Sequence, residues 1–249
     1  TPLEMTKWFD TNYHYIVPEF DDNTSFRISS TKLFDEYQEA RDQGIETRPV
    51  LVGPVTYLKL GKVVNSNRNK YDLFNDLIAV YEQIIKKCAD IGVQSIQIDE
   101  PIAVLDLTDQ ERQLISQAYT QLAKVSDIQI CVATYFGTLE ENLDTILQLP
   151  VDEIHVDAVR GETEINKIID TFPSDKRLSI GVINGRNIWI NDYSKSLPII
   201  EKANASLGAD RVVVASSCSL IHSPVTTNNE ANLDSDIKQW MSFADQKLQ

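Results

Sequence analysis

Apolar and polar positions alternate along the chain in two distinct patterns. Short β-branched or apolar runs at residues 13–17, 49–52, 95–98, 128–134, 153–157, 179–182 and 212–215 read as strands. Between them lie longer stretches with helical spacing, at residues 30–43, 71–91, 108–124, 139–147, 162–171, 194–207 and 232–248. In the second of these, Leu73, Leu77, Ile78, Val80, Tyr81, Ile84 and Ile85 recur on one face. Gly44, Gly92 and Gly208 follow the ends of three helices, where a left-handed residue closes the last turn. Thr108-Asp109-Gln110-Glu111 is a capping box, in which the first and last side chains each satisfy an orphan backbone donor.

Strands alternating with helices imply a parallel sheet covered by helices. The pattern supplies seven strands, one short of a (β/α)8 barrel, so the expected fold is an α/β barrel of TIM type whose first strand lies upstream of Thr1. A doubly wound open sheet is the structural alternative. No Gly-x-Gly-x-x-Gly follows any strand, so a dinucleotide fold lacks its main sign. No linker or low-complexity segment interrupts the series, and residues 1–249 are expected to form one domain.

Of the 249 residues, 42% are hydrophobic, enough for a substantial core. The formal net charge of −14 argues against nucleic acid or an anionic membrane surface as partner, since both need a basic footprint. The sequence holds no apolar run of membrane-spanning length and no leader pattern at its start. Cys88, Cys131 and Cys218 are too few and too widely spaced for a disulfide framework, which points to reduced thiols and a cytoplasmic location.

Polar side chains gather where strands end: Asn12 and His14, Asp99 and Glu100, Thr134 and Tyr135, Asp157, Asn184 to Asn187, and Ser216 to Cys218. In a barrel this is where function collects, although loops are polar in any case. Asp99 and Glu100 do not read as a glycosidase pair, because neighbours on a strand point to opposite faces. Cys218 and His222 have a spacing that two metal ligands, or a nucleophile and its base, could use. Zinc needs three or four protein ligands, and no Cys-x-x-Cys, His-x-Cys or His-Glu-x-x-His is present. His155 falls mid-strand and is expected to be buried or packed.

Five segments together resemble the N-terminal half of cobalamin-independent methionine synthase. They are Glu4-Met5-Thr6-Lys7-Trp8-Phe9-Asp10-Thr11-Asn12-Tyr13-His14-Tyr15, Gly53-Pro54-Val55-Thr56, Gln97-Ile98-Asp99-Glu100-Pro101, Ile183-Asn184-Gly185-Arg186-Asn187 and Ala215-Ser216-Ser217-Cys218-Ser219-Leu220. The resemblance implies one of two face-to-face barrels in an enzyme that moves a methyl group from 5-methyltetrahydropteroyltri-glutamate to homocysteine. The other barrel, C-terminal and absent here, is the one that carries zinc, through a His-x-Cys pair, a Glu and a final Cys. Laid on that pattern, the four ligand positions fall on Ala133, Tyr135, Asp157 and Cys218, which implies a vestigial site and no cofactor in this chain. Lys7 matches a position that contacts the folate's polyglutamate tail, and an ammonium suits flexible carboxylates. The family's first strand and a basic tail-binding segment near its start are missing. The implied role is to brace the catalytic barrel and help hold the tail, with no turnover by this chain alone. A uroporphyrinogen-decarboxylase-like enzyme, with Arg160 and Arg186 at its mouth, and a non-enzymatic binding module are the alternatives.

Overall fold

The computed structural model describes residues 2–249; Thr1, where the expected domain begins, lies outside them. The strands are β1 (Met5–Lys7), β2 (His14–Ile16), β3 (Glu19–Phe20), β4 (Val50–Val52), β5 (Lys62–Val63), β6 (Ser95–Asp99), β7 (Gln129–Ala133), β8 (Glu153–Asp157), β9 (Arg177–Ile183) and β10 (Val212–Ser216). The α-helices are α1 (Lys32–Asp42), α2 (Pro54–Leu60), α3 (Phe74–Asp90), α4 (Asp109–Leu122), α5 (Leu143–Leu147), α6 (Ile165–Thr171), α7 (Tyr193–Leu207), α8 (Ser235–Lys238) and α9 (Ala244–Lys247). No helix among the described residues is long and apolar enough to cross a membrane.

The fold is α/β, and six parallel strands form its main sheet in the order β4-β6-β7-β8-β9-β10. Six of the seven expected strands lie in it. The first, at 13–17, is instead β2 and pairs with β1 in a separate two-stranded sheet. Its side chains explain the difference: Tyr13 and Ile16 are exposed, while Trp8 N–H donates to Tyr13 O at 2.7 Å and shuts a tight hairpin. Alternation in this run reflects a half-solvated ribbon rather than a sheet interior.

The described residues group into two compact units. Tyr15–Thr134 and Leu139–Ile154, with the N-terminal residues up to Thr6, form one; Lys7–His14, Tyr135–Thr138 and His155–Gln249 form the other. The boundaries fall inside β1, β2 and β8 and beside β7. No linker marks them, so composition along the chain carries no sign of the division.

In the first unit β6 sits between β4 and β7, with Ile98 aligned to Leu51 and to Val132. Ile96, Ile98, Ile130 and Val132 are buried, as are Ile115, Tyr119 and Leu122 of α4. Each such aliphatic side chain contributes about 1.5–3 kcal/mol through burial. The capping box at Thr108 is present with both hydrogen bonds, and Glu111 also accepts from Lys59 Nζ at 2.7 Å. Gly44 and Gly92 take positive φ, as the helix ends require. Helix α2 was not legible: seven residues beginning at a proline give too short a period to detect.

In the second unit β9 and β10 run parallel from Val212 opposite Leu178, and a register irregularity at Ala215/Ser216 re-aims the strand end. The helix expected over 232–248 is replaced by the short α8 and α9. The segment between them spends its backbone elsewhere: Ile190 N–H donates to Trp240 O at 3.0 Å and Ser242 N–H to Ile188 O at 2.8 Å. Helical i→i−4 bonding there would forfeit both.

Arg48 reaches the buried Glu153 at the start of β8 with Nη1 at 2.6 Å and Nη2 at 3.3 Å. Replacing Arg48 by Met removes a bidentate cation from that buried carboxylate, and urea unfolding is expected to show a loss of about 3 kcal/mol.

Candidate functional site

In the first unit the Asp99-Glu100-Pro101 segment leaves β6 and places Glu100 fully buried beneath the N-terminus of α2. The carboxylate accepts from Thr56 N–H at 2.9 Å, Thr56 Oγ1 at 2.5 Å, Val55 N–H at 3.3 Å and the Tyr119 hydroxyl at 3.2 Å. Two of these amides are orphan donors of the first helical turn, so Glu100 caps α2 from a distant strand. A Cβ on Gly53 would lie 2.1 Å from the Glu100 carboxyl carbon, so only glycine fits there. Burial pushes the Glu100 carboxyl up to about 7, and the four donors only partly oppose it. Asp99 has a different partner, Gln97 Nε2 at 2.8 Å.

The second unit holds the densest group of strand-end side chains. Asp157, ending β8, is buried and accepts from three loop amides: Phe136 at 3.1 Å, Val159 at 2.9 Å and Arg160 at 2.9 Å. Phe136 has φ +84°, a strained value for a bulky residue, and its bond to Asp157 helps hold it there. After β9, Asn184 Oδ1 accepts from Arg186 N–H at 2.9 Å and Asn187 N–H at 3.1 Å. Ser217 Oγ accepts from Gly185 N–H at 3.2 Å.

Above these loops Asp10 sits between two guanidinium groups, with Arg160 Nη1 and Arg186 Nη1 each 2.7 Å from its carboxylate. Partial burial raises its carboxyl, but the hydrogen bonds from Arg160 and Arg186 prevail and hold it below the usual carboxylate range. Arg186 also lies over the Phe136 ring at 5.1 Å, a cation–π contact. Phe9 and His222 pack on the same ring, with centroids at 5.6 and 5.8 Å. Asp10 is the residue that sequence reasoning missed. Its acidic side chain among tail-binding candidates gave no cue that two distant arginines converge on it.

The four positions laid on the zinc pattern carry a methyl group, a phenol, a carboxylate and a thiol. Ala133 ends β7 with a methyl group, and Tyr135 is a buried phenol two residues further on. The Asp157 oxygens are turned to loop amides. Burial pushes the Cys218 thiol up to about 11. Among the described residues no group of three or more His, Cys, Asp or Glu is placed to hold a metal ion. Burial raises the Cys218 thiol, while burial and the charge of Arg186 lower the His222 imidazole. His155 is buried, with Nδ1 2.9 Å from Ser179 Oγ. Lys7 closes β1 and is exposed.

Residues 1–208 match the family model described as the cobalamin-independent synthase, N-terminal domain, and the chain belongs to that family. It is 50% identical over 248 residues to the 5-methyltetrahydropteroyltriglutamate–homocysteine methyltransferase of Salinibacter ruber, covering 99% of this chain and 32% of that protein. The protein of the same description from Saccharomyces cerevisiae is 47% identical over 251 residues, covering 100% of this chain and 33% of that one. The chain therefore spans about a third of the length of the curated relatives it matches. Among solved structures, a B12-independent methionine synthase from Shewanella sp. W3-18-1 in complex with selenomethionine superposes with a TM-score of 0.71 at 16% identity. That match covers 95% of this chain and 70% of the other, and it speaks for the fold alone.

Two predictions follow from the buried carboxylates. The folded-state value of Glu100 lies above its unfolded value, so its contribution falls as pH rises from about 4.5 to about 7 and is level above that. Glu100→Gln should remove this slope, visible as a stability difference from the parent that changes across that window in pH-dependent urea unfolding. Asp157→Ala strands three loop amides and should cost at least about 2 kcal/mol by the same measurement, with Asp157→Asn losing less.

Proposed function

We propose that this chain is the N-terminal barrel of an enzyme that transfers a methyl group from 5-methyltetrahydropteroyltri-glutamate to homocysteine. It braces a separate catalytic half and uses Lys7 to help hold the folate's polyglutamate tail. The observation that carries the reading is the match itself: essentially all of the chain aligns at about half identity with methyltransferases three times its length. The chemistry of its own residues agrees. The ligand positions have become a methyl group, a phenol, a carboxylate turned to amides and a buried thiol, so metal activation of a thiol substrate belongs to the other half.

The finer reading of the fold is a (β/α)8 barrel, which needs two strands beyond the six of the main sheet. Strands β4 and β10 each have a neighbour on one side only in the sheet, and Val50, Val52 and Val214 are exposed on them. Uncovered apolar edges of this kind suit pairing with further strands, one at each edge. Residues 1–249 as one barrel domain, with the partner barrel outside it, form part of the same proposal. Three free, buried cysteines suit a reducing, cytoplasmic setting. The arginine-rich mouth that a porphyrin substrate requires is not supported, because Arg160 and Arg186 are engaged with Asp10.

Lys7 offers an exposed ammonium on an acidic chain of formal charge −14, a local exception that a flexible polycarboxylate can find. The purified chain alone should show no methyl transfer and no stoichiometric zinc by metal analysis. Joined to a catalytic half, the Lys7→Met variant should raise KM for the triglutamate substrate about tenfold with little change in kcat, and the effect should shrink at high salt. Turnover by the isolated chain would overturn the assignment.

A further inference from the structure

The second unit contains a cavity of about 320 Å³ that the methyl-transfer reading does not use. That volume is at the small end of the range for ligand pockets, about 300–1,000 Å³. It lies between the loop following β9 and the first turns of α7, and Lys247 of α9 lines it.

Lys247 is the unusual wall residue. It is only 8% exposed, and its Nζ donates to Asn187 Oδ1 at 3.0 Å and Trp189 O at 3.1 Å. Both acceptors are neutral, and among the described residues no carboxylate meets it. An ammonium carries three donors, so one remains beyond those two bonds. A buried cation without a counter-ion is costly unless something anionic completes it. Burial accordingly pulls the Lys247 ammonium below its ordinary value. The rest of the wall has the other features of a small amphiphile's site. Trp189, Ile199 and Val182 supply apolar surface, and Glu162 brings an exposed carboxylate. Four charged residues line the cavity: Asp192 is occupied as the N-cap of α7 and Lys195 is exposed, which leaves the buried Lys247 and the carboxylate of Glu162 as a cation and an anion on the wall, with apolar surface beside them.

We propose that this cavity binds a free α-amino acid with an apolar side chain. The ligand carboxylate completes the coordination of Lys247, its ammonium faces Glu162, and its side chain lies against Trp189 and Ile199. A simple carboxylate meets the lysines but leaves the carboxylates of Glu162 and Asp192 to repel it, so the zwitterion is the better complement. The inference does not depend on the methyl-transfer reading, because the binding experiment needs no catalytic half and no folate.

The test is isothermal titration calorimetry of the full 249-residue chain with three probes: L-norleucine, hexanoate, which lacks the ammonium, and n-pentylamine, which lacks the carboxylate. L-norleucine should bind saturably with one site per chain, and the other two at least tenfold more weakly. Lys247→Met should weaken L-norleucine at least tenfold. Because Lys247 also ties down Asn187 and Trp189, the exposed Glu162→Gln provides the second arm; it should weaken L-norleucine severalfold and leave hexanoate unchanged or tighter. Three results would each overturn the proposal. They are no saturable L-norleucine binding up to about 10 mM, hexanoate binding as tightly as L-norleucine, or L-norleucine affinity untouched by Glu162→Gln.

Discussion

The ends of parallel strands create one recurrent problem, and both units answer it in the same way. A chain leaving a buried strand carries amides that have lost their ladder partners, and each left unsatisfied costs about as much as a lost hydrogen bond. Glu100 after β6 collects two amides of α2, and Asp157 at the end of β8 collects three loop amides. Asn184 and Ser217 repeat the device after β9 and β10. The polar residues that look like a catalytic mouth therefore hold the loops in place. At these strand ends the chain points its acids at its own backbone.

How much of this was legible in the sequence differs by element. The six sheet strands and the capping box stood out because each rests on local periodicity or a four-residue motif. The segment at 232–248 did not, because its amphipathic spacing is real while its backbone is claimed by Ile188 and Ile190 at a distance. The hairpin at Met5–Ile16 alternates like a sheet strand but is settled by solvent, which periodicity does not report. At the candidate site the residue types at Ala133, Tyr135, Asp157 and Cys218 could be read directly. The convergence of Arg160 and Arg186 on Asp10 could not, since it joins residues 150 and 176 positions apart.

Charge tells a related story. The chain is strongly acidic overall, yet two arginines converge on one aspartate, and one of them, Arg186, also lies over an aromatic ring. Exposed ion pairs contribute little to stability, so the arrangement is better understood as fixing the position of the Lys7–His14 segment than as strengthening the fold.

Gly53 beneath Glu100 has an evolutionary corollary. With the carboxyl carbon 2.1 Å from where a Cβ would stand, no side chain can enter at 53 while a glutamate occupies 100. Shrinking the glutamate first would strand the amides of Val55 and Thr56, so neither position can drift alone without passing through a damaged intermediate. Two motifs that lie nearly fifty residues apart in the chain are thereby bound to a common mutational history, exchanged as a set or not at all.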